Sequence, residues 1–321
     1  MKADLKTKIG KLKLSNPVMV GSGTFGYGEE FKDFIDLRKL GAIVTKTITL
    51  HPRRGNPAPR TCEAPAGMLN SIGLDNPGIE KFIQEKLPFL KKTGVPIIVS
   101  IASEGDPEEF VTLARHLDKV EGVSAIELNI SCPNITPHAT RQKPKAKSLQ
   151  PAACSQLIAQ DSKSTYEVVN RVRRVTQKTL IAKLSPNVTD IAEIALAAQS
   201  AGSDGVSLIN TISAMSIDIE TRRPKIRMAV GGLSGPAIRP VAVRMVWEVY
   251  QKVKIPIIGM GGIIDAPSAL EFIIAGASVV AVGTANFINP GVTLEIIDGI
   301  KKYLSKNKIK DIKTLIGSLK L

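Results

Sequence analysis

The feature that most restricts the fold is an alternation. Eight short β-branched runs, at 17–20, 42–45, 95–101, 124–130, 179–184, 205–209, 255–259 and 278–282, are separated for the most part by stretches with helical spacing. Those stretches lie at 108–117, 166–175, 191–201, 237–249 and 267–275. Runs that are apolar throughout describe strands buried on both faces, the condition of parallel strands covered by helices. Eight such units in 321 residues predict an α/β chain folded as one (β/α)8 TIM barrel over 1–321. Strand counting alone leaves a doubly wound open sheet as the other solution. Alternation through 5–14 around Gly10-Lys11 predicts an N-terminal β-hairpin within 1–15, placed to plug the barrel's N-terminal mouth.

The net charge of +14 first suggests nucleic acid or an anionic membrane as a partner. Its distribution weakens the nucleic acid reading. The whole excess resides in residues 1–13, 139–160 and 301–321, the last a basic segment expected to be helical, and the rest of the chain is balanced. Aromatic residues make up only 4 %, which leaves few platforms for stacking bases, so no nucleic acid partner is expected. The three cysteines, Cys62, Cys132 and Cys154, form no CxxC pair, which points away from a disulfide framework or an iron–sulfur cluster within the chain and toward a reducing, cytoplasmic setting. No apolar run approaches the roughly 18 residues of a membrane span, and the basic start is not followed by a signal-peptide core.

In a barrel of this kind the chemistry sits at the C-terminal ends of the strands. Those ends carry Ser22, Lys46, Ser100, Asn129, Lys183, Asn210, Gly261 with Gly262, and Gly283 with Thr284. Two lysines, two amides and two glycine turns facing one mouth suit an anionic ligand with amide or carbonyl edges. Glycine turns on the last two strands, each before a helix start, suit a phosphate. Cys132 lies just past a strand end among Asn129, Pro133 and Asn134, a setting that favours ligand contact over core packing.

Several motifs carry a family resemblance. They are Gly21-Ser-Gly-Thr-Phe-Gly-Tyr-Gly-Glu-Glu30, Lys46-Thr-Ile-Thr-Leu-His-Pro-Arg-Arg-Gly-Asn-Pro57, Asn70-Ser-Ile-Gly-Leu-Asp-Asn-Pro77, Asn129-Ile-Ser-Cys-Pro-Asn134 and Lys183-Leu-Ser-Pro-Asn-Val-Thr-Asp190, then Gly231-Gly-Leu-Ser-Gly-Pro-Ala-Ile238 and Gly283-Thr-Ala-Asn-Phe287. In this order they resemble the class 1 dihydroorotate dehydrogenases over nearly the whole chain, most closely the catalytic subunit of the NAD-linked type B form.

The resemblance implies a flavin mononucleotide (FMN) barrel that oxidises dihydroorotate to orotate in pyrimidine synthesis, with Cys132 as base. It places flavin against Ser22, Lys46, Thr47, Asn129, Lys183, Ile209, Gly235, Gly261, Gly262, Gly283 and Thr284. Substrate falls to Lys46, Asn70, Ser71, Ile72, Gly73, Leu74, Asn129, Asn134, Asn210 and Thr211. It also implies a separate subunit carrying FAD and an iron–sulfur cluster, around a homodimer core or in a heterotetramer. A flavin enzyme acting on dihydrouracil is the neighbouring reading; Asn134 and the Asn210-Thr211 pair favour the orotate branch. The chain departs from the family in one long segment. A basic insertion after strand 4, 135–160 with Pro137, Pro144 and Pro151, stands where the family has a short glycine-rich loop over the substrate. Ser100 occupies a position where many relatives have a flavin-contacting Asn.

Overall fold

The computed structural model describes residues 3–131 and 158–321. Eight parallel strands close into a barrel: β1 (Val18–Val20), β2 (Ala42–Val44), β3 (Ile97–Ile101), β4 (Ala125–Asn129), β5 (Thr179–Lys183), β6 (Gly205–Leu208), β7 (Ile257–Met260) and β8 (Val279–Val282). Each pairs with its sequence neighbour and β8 pairs with β1, so every anticipated run is a barrel strand and the open-sheet solution is set aside.

Helices Glu108–Asp118, Ser162–Arg173, Ile191–Ser200, Arg239–Tyr250, Ala266–Ala275 and Val292–Lys306 coat the outside. The crossover from β1 to β2 differs, since two three-residue 3-10 turns, Glu29–Phe31 and Leu37–Lys39, replace a helix. Aspartates fix several helix starts: Asp161 accepts from Ser164 N at 2.7 Å, Asp190 from Ala192 N at 2.8 Å and Asp265 from Ser268 N at 2.8 Å. Such a cap contributes about 1 kcal/mol. The C-terminal segment is helical only to Lys306, followed by a 3-10 turn at Ile312–Leu315.

Strands Thr7–Ile9 and Leu12–Leu14 form the hairpin. Period-2 alternation turns Ile9, Leu12 and Leu14 toward the barrel interior, where they cluster with Met19, Ile98, Ala125, Ile181 and Val279. The plug is therefore made of the hairpin's inner face, and Thr7 Oγ1 donates to the carbonyl of Ser278 at its rim, at 3.2 Å.

A second sheet had no counterpart in the sequence reading. Thr61–Ala64, Gly67–Asn70, Val230–Ser234 and Ile212–Met215 form an antiparallel four-stranded sheet from the loops after β2 and β6. Its residues are largely half-buried or exposed, so it lacks the continuous apolar runs that mark the barrel.

Two stability predictions arise in this scaffold. The Tyr27 hydroxyl is buried without a hydrogen-bond partner among the described residues, and burial, reinforced by the charges of Glu30 and Asp75, pushes its pKa upward. Removing an unsatisfied buried polar group relieves its desolvation cost. Tyr27→Phe should raise unfolding free energy by up to about 1 kcal/mol in urea titration, leaving the ring packed on Phe82.

Asp118, at the end of Glu108–Asp118, accepts from Thr176 Oγ1 at 2.7 Å and Gln177 N at 2.8 Å. The Thr176 bond is the main cause holding this carboxyl below its ordinary 3.8, with help from Gln177 N and the Lys178 charge. A depressed folded pKa stabilises the fold above the unfolded value, and that contribution is lost as pH falls through the folded one. Asp118→Ala should cost about 1 kcal/mol at pH 7. The difference between the two proteins should shrink as pH is lowered through 3.8 and beyond.

Candidate functional site

The strands end around a cleft of about 420 Å³. Its lining includes all the anticipated flavin contacts: Ser22, Lys46, Thr47, Asn129, Lys183, Ile209, Gly235, Gly261, Gly262, Gly283 and Thr284. Asn70, Ile72, Gly73, Leu74, Asn210 and Thr211 line it too, delivered by the antiparallel sheet and the loops after β2 and β6. Ser71 does not line the cleft. Its side chain is buried, with Oγ accepting from Asn56 Nδ2 at 2.9 Å, because the alternation of the segment turns it away from its neighbours. Cys132, Asn134 and residues 135–157 of the insertion lie outside the described residues.

A connected set of hydrogen bonds runs across the floor. Ser100 Oγ and Thr47 Oγ1 are 2.9 Å apart, and Asn129 Nδ2 donates to Thr47 Oγ1 at 3.1 Å. Ser131 Oγ donates to Asn129 Oδ1 at 3.2 Å, and Asn210 Nδ2 donates to Ser131 Oγ at 2.9 Å. Asn210 Oδ1 then accepts from Thr211 N at 2.8 Å. Donor and acceptor ends of both amides are thus assigned by their neighbours, so the amide faces are fixed before any ligand arrives. Ser100 takes part through Thr47, at the back of the floor and fully buried, and does not itself reach the cleft.

The two lysines differ in setting. Lys183 is 5 % exposed and its Nζ donates to Ser22 Oγ at 2.9 Å, which aims the ammonium across the barrel mouth from β5 toward the loop after β1. Lys46 follows β2 and is half-buried, and no ion pair reaches it among the described residues. Glu127, buried two residues before Asn129 on β4, has Oε2 accepting from Ser207 Oγ at 3.0 Å. Its other oxygen has no partner among the described residues.

The glycine turns divide into two kinds. Gly261 and Gly262 have φ of 130° and 74°, and a Cβ at Gly262 would lie 2.8 Å from both Arg239 Cβ and the Gly235 carbonyl, so the fold itself requires glycine there. Gly283 is different. Among the described residues a Cβ there would meet only Thr24 Cγ2, at 4.0 Å, so none of their packing demands a glycine and the space opens to the cleft. Thr284 Oγ1 donates to Ser234 Oγ at 2.8 Å beside it. The helix after β7 has its start occupied by Asp265, so the glycine turn rather than that helix end offers free amides at this corner.

Sequence reasoning missed Ser131, which links the two asparagines, and also Arg60, Ser234 and Phe287 in the lining. Arg60 is paired with Asp75 at 3.1 Å. Ser131 stood in plain view between Asn129 and Cys132, and its period-2 relation to Asn129 was the available signal.

The family model described as dihydroorotate dehydrogenase matches residues 4–304. A relative from Thermoanaerobacter pseudethanolicus is 51 % identical over 318 residues, covering 99 % of both chains. One from Thermodesulfovibrio yellowstonii is 52 % identical, covering 98 % of this chain and 99 % of its own. A third, from Desulforamulus reducens, is 50 % identical over all of both chains. Each is named dihydroorotate dehydrogenase B (NAD(+)), catalytic subunit. With this match running from the hairpin through the last helix, and the cleft assembled from the motif residues, the chain belongs to the dihydroorotate dehydrogenase family.

Proposed function

We propose that the chain oxidises dihydroorotate to orotate with FMN as cofactor, as a step of pyrimidine biosynthesis. The observation that carries this reading is the fixed chain of amides and hydroxyls from Ser100 to Thr211 beside a turn at Gly283 that leaves room for a phosphate. The residues fit that cofactor, since the space at Gly283 is left open by the protein and the Ser22–Lys183 pair lies across the same mouth.

FMN, when bound, supplies the acceptor for the hydride leaving one ring carbon of dihydroorotate. The protein's own part is to remove the proton from the adjacent carbon, next to a carbonyl, and to hold the ring. Cys132 is the base in this reading: its thiolate takes that proton. Asn70, Asn129, Asn134 and Asn210 offer donor and acceptor edges to a pyrimidine ring that alternates N–H and C=O. Lys46 faces the carboxylate. Backbone amides at Gly262, Gly283 and Thr284, with the Thr284 hydroxyl, hold the phosphate.

The relatives are named catalytic subunits, and that name supports a partner for this chain. A subunit carrying FAD and an iron–sulfur cluster would pass electrons to NAD, with a homodimer core or heterotetramer in a cytoplasmic setting. Anaerobic mixing of purified, flavin-loaded protein with dihydroorotate should bleach the yellow flavin band; a band that stays unbleached overturns the proposal. Copurification followed by assays with NAD, fumarate and a quinone decides the acceptor.

A further inference from the structure

The structure gathers the charge of the sequence at one end of the barrel. The segments that close the end opposite the cleft are 3–17, 36–41, 92–96, 119–124, 174–178, 201–204, 251–256, 276–278 and 307–321. Together they hold sixteen lysines and arginines and five carboxylates. Four of those carboxylates, Asp36, Glu121, Asp204 and Asp311, are already in ion pairs with Arg38, Lys91, Arg173 and Lys313. At the cleft end the described loops, 21–35, 45–77, 102–107, 130–131, 158–161, 184–190, 209–238, 261–265 and 283–291, hold nine basic residues and twelve carboxylates. The basic excess of the described chain is therefore a property of one face.

The elements of that face are built to present it. The hairpin buries Ile9, Leu12 and Leu14 and turns Lys6, Lys8, Lys11 and Lys13 outward. Lys8 and Lys13 are direct cross-strand partners, an arrangement of like charges that is unfavourable unless an anion lies over it. The C-terminal segment is bonded alongside, with Asp4 N donating to the Lys310 carbonyl at 2.8 Å and Ile312 N to the Asp4 carbonyl at 3.0 Å, so two basic segments far apart in sequence become neighbours. Tyr250 and Leu319 are 37 % and 46 % exposed at this end, the tail being held to Ile273 and Ile274 by backbone bonds.

We infer that this face docks on the surface of an anionic lipid bilayer. Lysines spread over this end of the barrel, with an exposed tyrosine and leucine among them, match a surface of many phosphates with an apolar layer below it. A nucleic acid site would call for arginines placed in pairs or for a row of stacking rings, whereas the face is chiefly lysine and its exposed rings are Tyr250 and, beside Arg38 and Lys92, Phe34. The contact is peripheral, since no helix among the described residues is long and apolar enough to cross a membrane. It would also point the cleft away from the bilayer, open to small molecules.

The test is sedimentation of the full-length protein with vesicles of phosphatidylcholine containing about one-third phosphatidylglycerol, against phosphatidylcholine alone. The expected result is binding to the anionic vesicles only, abolished at about 0.5 M salt. Two variants on separate elements, Lys8→Glu with Lys13→Glu and Lys252→Glu with Lys254→Glu, should each weaken it by at least about tenfold with unchanged melting temperature. Arg222→Glu with Arg223→Glu, at the cleft end, should leave it intact. Equal binding to both vesicles, no binding, an equal loss in the Arg222/Arg223 variant, or displacement from the vesicles by a lower concentration of single-stranded RNA than of free phosphatidylglycerol vesicles would each overturn the inference.

Discussion

Cys132→Ala should yield a yellow, correctly loaded flavoprotein whose flavin is bleached by dihydroorotate at least about a hundredfold more slowly than in the parent chain. General-base assistance is worth roughly 10² to 10⁴ in rate, whereas the groups assigned to the cofactor lie on strand ends that the substitution leaves in place. Stopped-flow absorbance under anaerobic conditions measures the bleaching, and the flavin-to-protein ratio of the same sample checks the loading. The parent rate should rise with pH as the thiol ionises, since only the thiolate accepts the proton. The alanine variant should lose that rise. A variant with parental kinetics would remove Cys132 from the reaction.

Gly283→Val carries the second large effect, because it separates folding from cofactor retention. Among the described residues the nearest atom to a Cβ at this position, its chain neighbours aside, is Thr24 Cγ2 at 4.0 Å, and the backbone there does not have a positive φ. The polypeptide should therefore fold with a melting temperature close to that of the parent stripped of flavin. Filling a close-packed site with extra methyl groups costs about 1–3 kcal/mol, so FMN should bind roughly 10- to 100-fold more weakly. Fluorescence titration of the stripped protein measures this directly. The same change at Gly262 should instead lower the melting temperature, since its Cβ would press on Arg239 and on the Gly235 carbonyl. If both variants lost flavin and stability together, the space at Gly283 would be structural rather than reserved for a ligand.

The barrel was legible in the sequence because its strands are buried on both faces, and such strands write themselves as unbroken apolar runs. The hairpin was legible for the opposite reason, its strict alternation of lysine with apolar residues. The antiparallel sheet over the mouth obeys neither rule. Segments such as Thr61–Ala64 alternate exposed with half-buried residues, so no core demands hydrophobic residues of them. At the site, positions at strand ends could be read from topology alone, which is why Lys46, Lys183 and Asn129 were found. Ser71 was assigned to substrate as part of a contiguous motif, and the structure shows that its neighbours line the cleft while its own side chain turns to Asn56. Ser131 was passed over because its effect comes through Asn129 and Asn210, and a residue that orients others leaves no signature of its own in composition or spacing.

The hairpin that seals the barrel also sets a condition on how the chain can reach its fold. The cluster around Ile9, Leu12 and Leu14 is complete only when β5, β7 and β8 have joined β1 to β4, and Thr7 finds its acceptor at Ser278, 271 residues later. At a synthesis rate of about 5–20 residues per second, those side chains wait on the order of 15–50 s for a complete core. Partner contacts so distant in sequence close late and slowly. During that interval the lysines that alternate with Ile9, Leu12 and Leu14 keep the nascent strands charged and apart from one another's edges, so the same pattern that faces outward in the finished barrel guards the unfinished one against aggregation.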